Sequence, residues 1–358
     1  MKANAGKRNV RSLGFEDLSK WVSEIGEKSF RAKQIWEWIW GRQARSFDEM
    51  TNLSIQLRTK LGNDFDFPVV SIDTFQVSRD RTIKNAFKLD DGNIVEGVLI
   101  PTENRMTACV SSQVGCSLTC AFCATGKLER IRNLEAEEIF DQVVMIRNQA
   151  MENYGIPLSN IVYMGMGEPL LNYSNVLKSI ERITAPDGLN MSPQRITVST
   201  AGIAKMIKKL GDDGVKFNLA LSLHAANDAK RSKIMPINEH NSLDALEEAL
   251  NYFIVKTGTR VTFEYIVFRN FNDELTDAKE LADFCKKTKA KVNLIEYNPI
   301  DGGEFKNASE DKLEAFKNYL ESKRIIVNVR RSRGKDIDAA CGQLANKNEH
   351  AVVRLKKI

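Results

Sequence analysis

Long apolar segments, internal repeats and low-complexity stretches are all missing from this sequence of 358 residues. It has no run of about 18 consecutive apolar residues that could span a membrane, and its first 25 residues lack the apolar core of a secretory signal. Its composition, 42% hydrophobic and 28% charged, is that of an ordinary globular protein. We therefore expect a cytoplasmic protein without a membrane partner, whose six cysteines act as metal ligands or catalytic groups rather than as a disulfide framework.

Charge is unevenly distributed along the chain. Residues 1–60 carry 12 basic and 7 acidic side chains, residues 323–358 carry 10 and 3, and the stretch between them carries 30 and 37. Basic ends fit a polyanionic partner such as RNA. They fit solvated protein faces equally well, so charge alone leaves both interpretations open.

The first 65 residues predict a small helical unit, which we expect to contact RNA. Apolar residues recur at helical spacing in FEDLSKWVSEIG and SFRAKQIWEWIWGRQA, and each segment stops at a glycine. All four tryptophans lie here beside basic residues, an arrangement that could form an RNA-binding face, but a core role for Ile35, Trp36, Ile39 and Trp40 is favoured. Residues 66–101 predict a β-rich connector with a hairpin at Asp91-Gly92.

Between residues 102 and 330, strand and helix patterns alternate. This order predicts a parallel sheet with right-handed crossovers, either open or closed as a barrel. In both cases the functional residues are expected at the C-terminal ends of the strands. The predicted strands are the seven runs TACVSSQ, NIVYMGMG, RITVST, KFNLALSLH, RVTFEYIVF, KVNLIEYNP and IIVNVRR.

Three cysteines follow the first of these strands with the spacing C-x3-C-x2-C. They are Cys116, Cys120 and Cys123, in the segment CSLTCAFC. Metals and iron–sulfur clusters usually take four protein ligands, so three close thiolates leave one coordination position open for a substrate. A zinc ion with a distant fourth ligand is the alternative, and the spacing at a strand end favours the open site.

The cysteine segment, with the aromatic Phe122 before its last cysteine, resembles the radical S-adenosylmethionine (SAM) superfamily. The chain is also similar to the RlmN/Cfr family of RNA methyltransferases in the helix FRAKQIWEWI and in SSQVGCSLTCAFCATGK, GMGEPLLNY, RITVSTAG, LSLHA, NPI and DIDAACGQL. The resemblance implies an α/β fold, a partial (β/α)6 radical SAM barrel. It implies one [4Fe–4S] cluster per chain on the three thiolates, with SAM at the fourth iron as methyl donor and radical source.

The same resemblance implies the reaction and its partners. We expect methylation of C2 of one adenosine in the peptidyl-transferase centre of 23S rRNA, and of an adenosine beside the anticodon in some tRNAs. We expect the protein to be a monomer and to receive electrons from a donor such as flavodoxin. Methylation of C8 of the same rRNA base is one alternative, and a zinc-stabilised RNA-binding protein without catalysis is another.

Polar residues lie at the ends of successive predicted strands. A pocket that binds a nucleoside needs several polar groups at one place, so we expect such a pocket there. A glycine pair after a strand is usually only a turn, so the SAM assignment of these positions depends on the resemblance. The residues it implies as SAM contacts are Gly167, Glu168, Ser199, Ser222, Leu223, His224 and Asn298.

A further cysteine, Cys341, lies in a basic tail over 331–358 that we expect to be a mobile loop over the barrel mouth. A lone cysteine is more often a buried small hydrophobe. Here four basic neighbours would favour the thiolate; they are Arg330, Arg331, Arg333 and Lys335.

The resemblance implies that Cys341 carries the methyl group as S-methylcysteine. It implies that Cys109 then releases the product by forming a disulfide with Cys341, and that Glu96 is the general base that removes the C2 proton. From the residues alone, Cys109 could equally be a core residue and Glu96 an exposed side chain. Cys285 has no counterpart in the family and is expected to be a packing residue.

Overall fold

The computed structural model of this protein describes residues 6–347. Residues 1–5 of the predicted helical unit and residues 348–358 of the predicted tail lie outside the described residues. Among the described residues, no helix combines the length and the hydropathy needed to cross a bilayer.

The N-terminal unit is helical, as the periodicity predicts. A short parallel pair of strands, β1 (Arg8–Asn9) and β2 (Phe65–Asp66), ties its two ends together. The second helix continues as one turn of π-helix over Glu37–Gly41. The helices are α1 (Phe15–Glu24), α2 (Phe30–Trp36) and α3 (Ile55–Asp64).

The next three strands, predicted as a separate connector, are instead part of the main sheet. They are β3 (Ser71–Val77), β4 (Ile83–Lys88) and β5 (Ile94–Thr102). Each of these strands pairs antiparallel with the next one along the chain. The last of them, β5, pairs in the same way with β6 (Arg105–Cys109), the first strand of the β/α domain. The connector therefore extends the sheet that carries the site.

The main sheet has ten strands in the order β14-β13-β12-β11-β10-β9-β6-β5-β4-β3. From β6 to β14 every neighbouring pair is parallel. Each of the seven predicted runs overlaps one of these strands, and five of them contain it completely. Beyond β6 they are β9 (Leu158–Tyr163), β10 (Ile196–Thr200), β11 (Asn218–Ser222), β12 (Thr262–Ile266), β13 (Lys291–Ile295) and β14 (Val327–Arg330).

Six strand–helix units precede the last strand, which agrees with the predicted partial (β/α)6 barrel. A two-stranded ribbon, β7 (Gln113–Val114) with β8 (Arg132–Asn133), brackets the cysteine segment. The helices are α4 (Ala136–Tyr154), α5 (Tyr173–Thr184), α6 (Ala204–Asp212), α7 (Asp228–Ile234), α8 (Leu243–Thr257), α9 (Leu275–Thr288) and α10 (Glu310–Ser322).

Trp36 and Trp40 of the N-terminal unit form core, as favoured, but the core is shared with the β/α domain, whereas Trp21 and Trp38 are only partly buried. Trp40 packs edge-on against Phe140 of α4 with ring centroids 5.2 Å apart. The indole N–H of Trp36 donates to Asp187 Oδ2 at 2.7 Å. These contacts join the helical unit to the β/α domain.

Candidate active site

A cavity opens at the C-terminal ends of the parallel strands, where the alternating pattern predicts a site. It encloses about 940 Å³ of non-atom space, part of it open to solvent. We call it the cysteine cavity because Cys116, Cys120 and Cys123 all line it. A volume of this order suits a ligand of nucleoside size.

The three cysteines line one side of this cavity, which confirms that the loop after β6 brings them together. Burial raises the pKa of Cys120, and the neighbouring Cys123 and Cys116 raise it further. Three close thiols disfavour one another's ionisation, so holding all three as thiolates requires a positive charge among them. Iron in a cluster supplies that charge, and the donor set therefore fits an iron–sulfur centre.

The same thiols do not form a site for a lone ion. Within residues 6–347, no group of three or more histidine, cysteine, aspartate or glutamate side chains is arranged to hold a single metal ion. A cuboidal cluster bound by three cysteines gives each thiolate its own iron and does not require the sulfurs to converge on one point.

Gly167 and Glu168 form the part of the cavity that follows β9. Gly167 adopts a φ of 94°, and a Cβ there would lie 2.5 Å from the Cβ of Gln113, so only glycine fits. The Glu168 carboxylate accepts the backbone N–H groups of Leu170 at 3.0 Å and Ala201 at 2.7 Å. Burial raises the pKa of Glu168 despite these bonds. A buried carboxylate at a cavity wall can accept from an ammonium group of a ligand.

Ser199, Ser222 and His224 continue the wall along the next two strand ends. The two serine hydroxyls lie 3.4 Å apart. His224 accepts the backbone N–H of Ile266 on Nδ1 at 3.2 Å, which leaves Nε2 as the protonated nitrogen of a neutral ring. Burial lowers the pKa of His224 to about 3. Phe122 packs edge-on against this ring at 4.5 Å, so the cysteine segment contacts the wall directly.

A fully buried arginine, Arg231 of α7, was missed by the sequence analysis. Its guanidinium donates to the carbonyls of Ala201 at 2.5 Å and of Leu223 and Ser222 at 3.2 Å. Burial lowers the pKa of Arg231 to about 10. By joining the ends of two neighbouring strands, Arg231 fixes the geometry of the cavity wall, and no local pattern in AKRSKIMP marks it.

Glu264 of β12 is a second residue that the sequence analysis missed. It lines the cysteine cavity and accepts from Asn293 Nδ2 at 2.8 Å and from Arg330 Nη1 at 3.4 Å. Burial raises the pKa of Glu264. A lone charge inside the apolar strand VTFEYIVF was the available signal, because an ionisable residue in a buried strand needs a specific partner.

A second cavity adjoins the first, and we call it the arginine cavity because Arg330, Arg331 and Arg333 line it. Cys109 also lines it. Cys341 lines both cavities and therefore lies at the boundary between them. The chain thus brings the two cysteines of the predicted relay to one place although they are far apart in sequence.

The tail basic residues influence Cys341 less than the sequence analysis expected. Cys341 is exposed to solvent on one side, but the protein atoms packed around its thiol raise the pKa of Cys341, and the charge of Arg330 opposes this. Arg331 and Lys335 pair with Glu296 instead, at 2.9 and 2.8 Å. Burial and the neighbouring Cys341 raise the pKa of Cys109 to about 12.

Three predicted site residues do not line either cavity. Leu223 is fully buried between its two neighbours in the wall. Asn298 donates through Nδ2 to the carbonyl of Cys341 at 3.2 Å, and its buried Oδ1 has no hydrogen-bond partner. Glu96 is only 1% exposed, which excludes the alternative of an ordinary exposed side chain. Its carboxylate faces the tail, where Ala345 donates to it at 2.8 Å.

The tail itself is docked in this structure rather than detached from the barrel mouth. The backbone N–H of Ala124 donates to the carbonyl of Gly342 at 2.7 Å, and Thr125 Oγ1 donates to that of Leu344 at 2.6 Å. Cys341, which precedes Gly342, is therefore held against the loop that carries Cys116, Cys120 and Cys123.

Comparison with known families divides the chain into two matched regions. Residues 8–66 match the family described as ribosomal RNA large subunit methyltransferase N-terminal domain, and residues 110–285 match the radical SAM superfamily. A relative from Cytophaga hutchinsonii, named probable dual-specificity RNA methyltransferase RlmN, is 62% identical over 95% of this chain and 93% of its own length. A protein named dual-specificity RNA methyltransferase RlmN from Nitratidesulfovibrio vulgaris is 44% identical over 94% of each chain.

The fold is also similar to a solved structure. The crystal structure of a radical SAM methyltransferase from Sphaerobacter thermophilus superposes with a TM-score of 0.88 at 38% identity. The alignment covers 94% of this chain and 99% of that one.

Proposed function

This chain belongs to the RlmN family of radical SAM RNA methyltransferases, and on that premise we propose that it methylates C2 of an adenosine in 23S rRNA and of an adenosine beside the anticodon of tRNA. One observation carries the proposal more than any other: Cys341 lines both the cysteine cavity and the arginine cavity. A methyl carrier must reach the donor on one side and the acceptor base on the other. A cysteine at the boundary of two adjoining cavities meets that requirement.

The cysteine cavity is assigned to the cofactors. Cys116, Cys120 and Cys123 would hold a [4Fe–4S] cluster, and the strand-end wall would hold SAM. When bound, the pair supplies a methyl group and, after reduction of the cluster, a carbon-centred radical from SAM. Glu168 suits the amino group because its buried carboxylate is an acceptor. The proposed SAM contacts are Gly167, Glu168, Ser199, Ser222, Leu223, His224 and Asn298.

The two tail-side cysteines are assigned to covalent transfer. Cys341 sulfur accepts the methyl group, which would give up one hydrogen atom to the carbon-centred radical. Its carbon then bonds to C2 of adenine, and the C2 proton and one electron leave the adduct. Cys109 thiolate attacks the Cys341 sulfur, so a disulfide forms as the sulfur–carbon bond to the product breaks, and the freed carbon takes up a proton to become the methyl group. An external reductant must restore the two thiols before the next turnover, and we propose a flavodoxin-like protein as the electron donor. The route avoids direct attack of the electron-poor adenine C2 on a sulfonium.

The arginine cavity is assigned to the RNA. Arg333 lies at its rim and is exposed, so it is available to a phosphate. Arg331 is held by Glu296 and Glu310 and gives a fixed positive charge beside it. Side chains of this kind position a nucleic acid through its backbone while the cavity selects the base.

Glu96 is proposed from the family resemblance as the base that takes the C2 proton. In the docked tail its carboxylate is bound to backbone N–H groups, so it must exchange these for the substrate before it can act. We further propose a monomeric cytoplasmic protein with one cluster per chain.

The decisive experiment is Cys341→Ala with 23S rRNA under anaerobic, reducing conditions. We expect no methyl transfer to RNA, because the carrier atom is gone, while the variant still converts SAM to methionine and 5′-deoxyadenosine. Cys285→Ala, which removes a buried thiol of α9 remote from the cavities, is the matched control and should retain transfer. Methyl transfer by the Cys341 variant would refute the relay.

The position of the methyl group is tested on the same RNA. Digestion of the product to nucleosides and mass spectrometry with 2-methyl- and 8-methyladenosine standards should show the 2-methyl isomer. An 8-methyl product would replace the proposed chemistry with that of the Cfr branch. A colourless protein that holds zinc after anaerobic reconstitution would support the non-catalytic alternative, whereas broad visible absorption supports the cluster.

A further inference from the structure

Glu96 lies on β5 in the middle of the antiparallel part of the sheet, and it is almost completely buried. Its side chain is 1% exposed, and the side chain of its ion-pair partner, Lys84 of β4, is 7% exposed. The Lys84 Nζ atom lies 3.5 Å from Glu96 Oε1. A buried pair at this distance leaves the carboxylate in need of further hydrogen bonds, because its other oxygen has also lost water.

The tail supplies those hydrogen bonds with two consecutive backbone N–H groups. Ala345 donates to Glu96 Oε2 at 2.8 Å and Asn346 donates to the same atom at 3.0 Å. Asn346 has a φ of 52°, a left-handed conformation that asparagine tolerates well. Consecutive N–H groups around a left-handed residue form a concave anion-binding nest. Residues 345–346 thus bind the Glu96 carboxylate as such a nest binds an anion.

The backbone of Glu96 is fixed from the opposite side by the strand-end motif. Ser111 Oγ donates to the Glu96 carbonyl at 2.6 Å and accepts the backbone N–H of Met166 at 2.7 Å. The Glu96 backbone N–H lies 3.3 Å from the sulfur of Met166. Glu96 therefore has a rigid backbone tied to GMGEP and a carboxylate that binds the tail.

The Asn346 side chain adds a further contact to the same strand. Its Nδ2 donates to the carbonyl of Ile94 at 2.7 Å, two residues before Glu96. Cys341 lies only four residues before Ala345, so the nest holds the segment that carries the thiol. The carbonyl of Cys341 is itself held by Asn298 at 3.2 Å.

We propose that Glu96, supported by Lys84, is the anchor that positions the Cys341 segment, and that the segment leaves its docked position by releasing the Ala345 and Asn346 N–H groups. Glu96 is in this sense a positioning residue, since its carboxylate lines neither cavity. The link to methyl transfer rests on the proposed function of Cys341. The anchor itself is a property of the chain and is measurable without RNA or turnover.

The primary test compares Glu96→Ala, Glu96→Gln and the matched control Glu103→Gln, an exposed carboxylate in the turn after the same strand. Hydrogen exchange of peptides covering 341–347 is followed by mass spectrometry on the anaerobically reconstituted protein. Cys341 is already exposed in the docked segment, so alkylation of its thiol does not report release. Hydrogen bonds to a charged acceptor are the strong class. We expect the exchange rate to rise roughly tenfold to a hundredfold in Glu96→Ala and less in Glu96→Gln, because the amide oxygen still accepts.

Exchange in β10, which lies in the parallel part of the sheet, reports global folding. If hydrogen exchange in β10 is the same in the variants and in the wild type, the substitutions affect only the tail. If Glu96→Ala does not fold, Glu96→Gln and Lys84→Met decide the question, and both must raise the exchange rate over 341–347 above that of Glu103→Gln. Rates equal to the control in every folded variant would overturn the proposal.

A second measurement separates the anchor from the general-base role. Methyl loading of Cys341 from SAM is measured without RNA. A residue that acts only on the C2 proton leaves this step unchanged, whereas loss of an anchor slows it. Normal loading together with unchanged exchange over 341–347 in Glu96→Gln would contradict the anchor. If wild-type Cys341 accepts no methyl group while exchange over 341–347 still rises in the Glu96 variants, the anchor stands and the proposed function fails.

Discussion

The candidate active site has two walls that are held in place by different interactions. One, the strand-end wall, consists of Glu168, Ser199, Ser222 and His224 at the ends of parallel strands. The other, the tail wall, consists of residues 339–344. The strand-end wall belongs to a continuous hydrogen-bonded sheet, and the buried Arg231 ties two of its strands together.

The tail wall has no such ladder within the described residues. Individual hydrogen bonds from Ala124, Thr125 and Asn298 hold it, together with the Glu96 nest. Segments held by a few separate bonds open at lower free energy than sheet strands. The wall that must stay fixed to bind cofactors is built from the sheet, and the wall with the proposed methyl carrier is docked on it.

The largest effect is expected from Cys109→Ala, which breaks the link between the two walls. Cys109 is on the rigid strand β6 and Cys341 on the docked tail, so disulfide formation requires the tail to approach the strand. We expect no multiple turnover and a protein–RNA adduct that persists on a denaturing gel, because no thiol can displace the product. Free methylated RNA at the wild-type rate would show that Cys109 is a core residue only.

Arg231→Met should damage the strand-end wall and the stability of the whole domain. Three backbone carbonyls lose a buried donor, and each unsatisfied group costs about 1–3 kcal/mol. We expect the free energy of unfolding in urea to fall by about 3–5 kcal/mol. The exposed Arg260→Met is the control and should change it little. A loss below about 1 kcal/mol would mean that the ladder alone holds this wall.

Thr125→Val should loosen the tail wall without affecting the sheet. The change removes the donor to the carbonyl of Leu344, a contribution of about 1 kcal/mol. Hydrogen exchange over 341–347 should rise by about fivefold, with β10 unchanged. Thr102→Val removes a comparable hydroxyl bond from the β5–β6 turn and should leave the tail as in the wild type. Equal exchange in both variants would contradict the difference between the walls.

The smallest effect is expected from Glu264→Gln, which should change how the free energy of unfolding depends on pH. Burial raises the pKa of Glu264 above its unfolded value of about 4.3. The folded state therefore binds the proton more tightly, and this group's contribution to stability is present at low pH and lost as pH rises through the folded pKa. Urea unfolding from pH 4 to 7 should show Glu264→Gln gaining stability relative to the wild type as pH rises. The opposite trend would indicate that Arg330 dominates the environment of Glu264.

Much of the strand-end wall was predictable from the sequence. Strand and helix periodicities differ, so all seven parallel strands were found, and the carboxyl ends of such strands converge in space. The cysteine spacing likewise determined that three thiols share one loop. Glu264 was missed because pattern analysis assigned the whole apolar run to a strand without asking what its one charge would contact.

The sequence by itself thus determined which segments form the sheet, where its active edge lies and which thiols meet there, because these depend on local periodicity and short spacing. Only the tertiary structure decided that the predicted connector extends the sheet, that Arg231 joins two strand ends and that Glu96 is buried under the tail. The contact between Glu96 and Ala345 spans 249 residues of chain. No spacing rule encodes such a contact, because it exists only after both segments have packed on the same sheet.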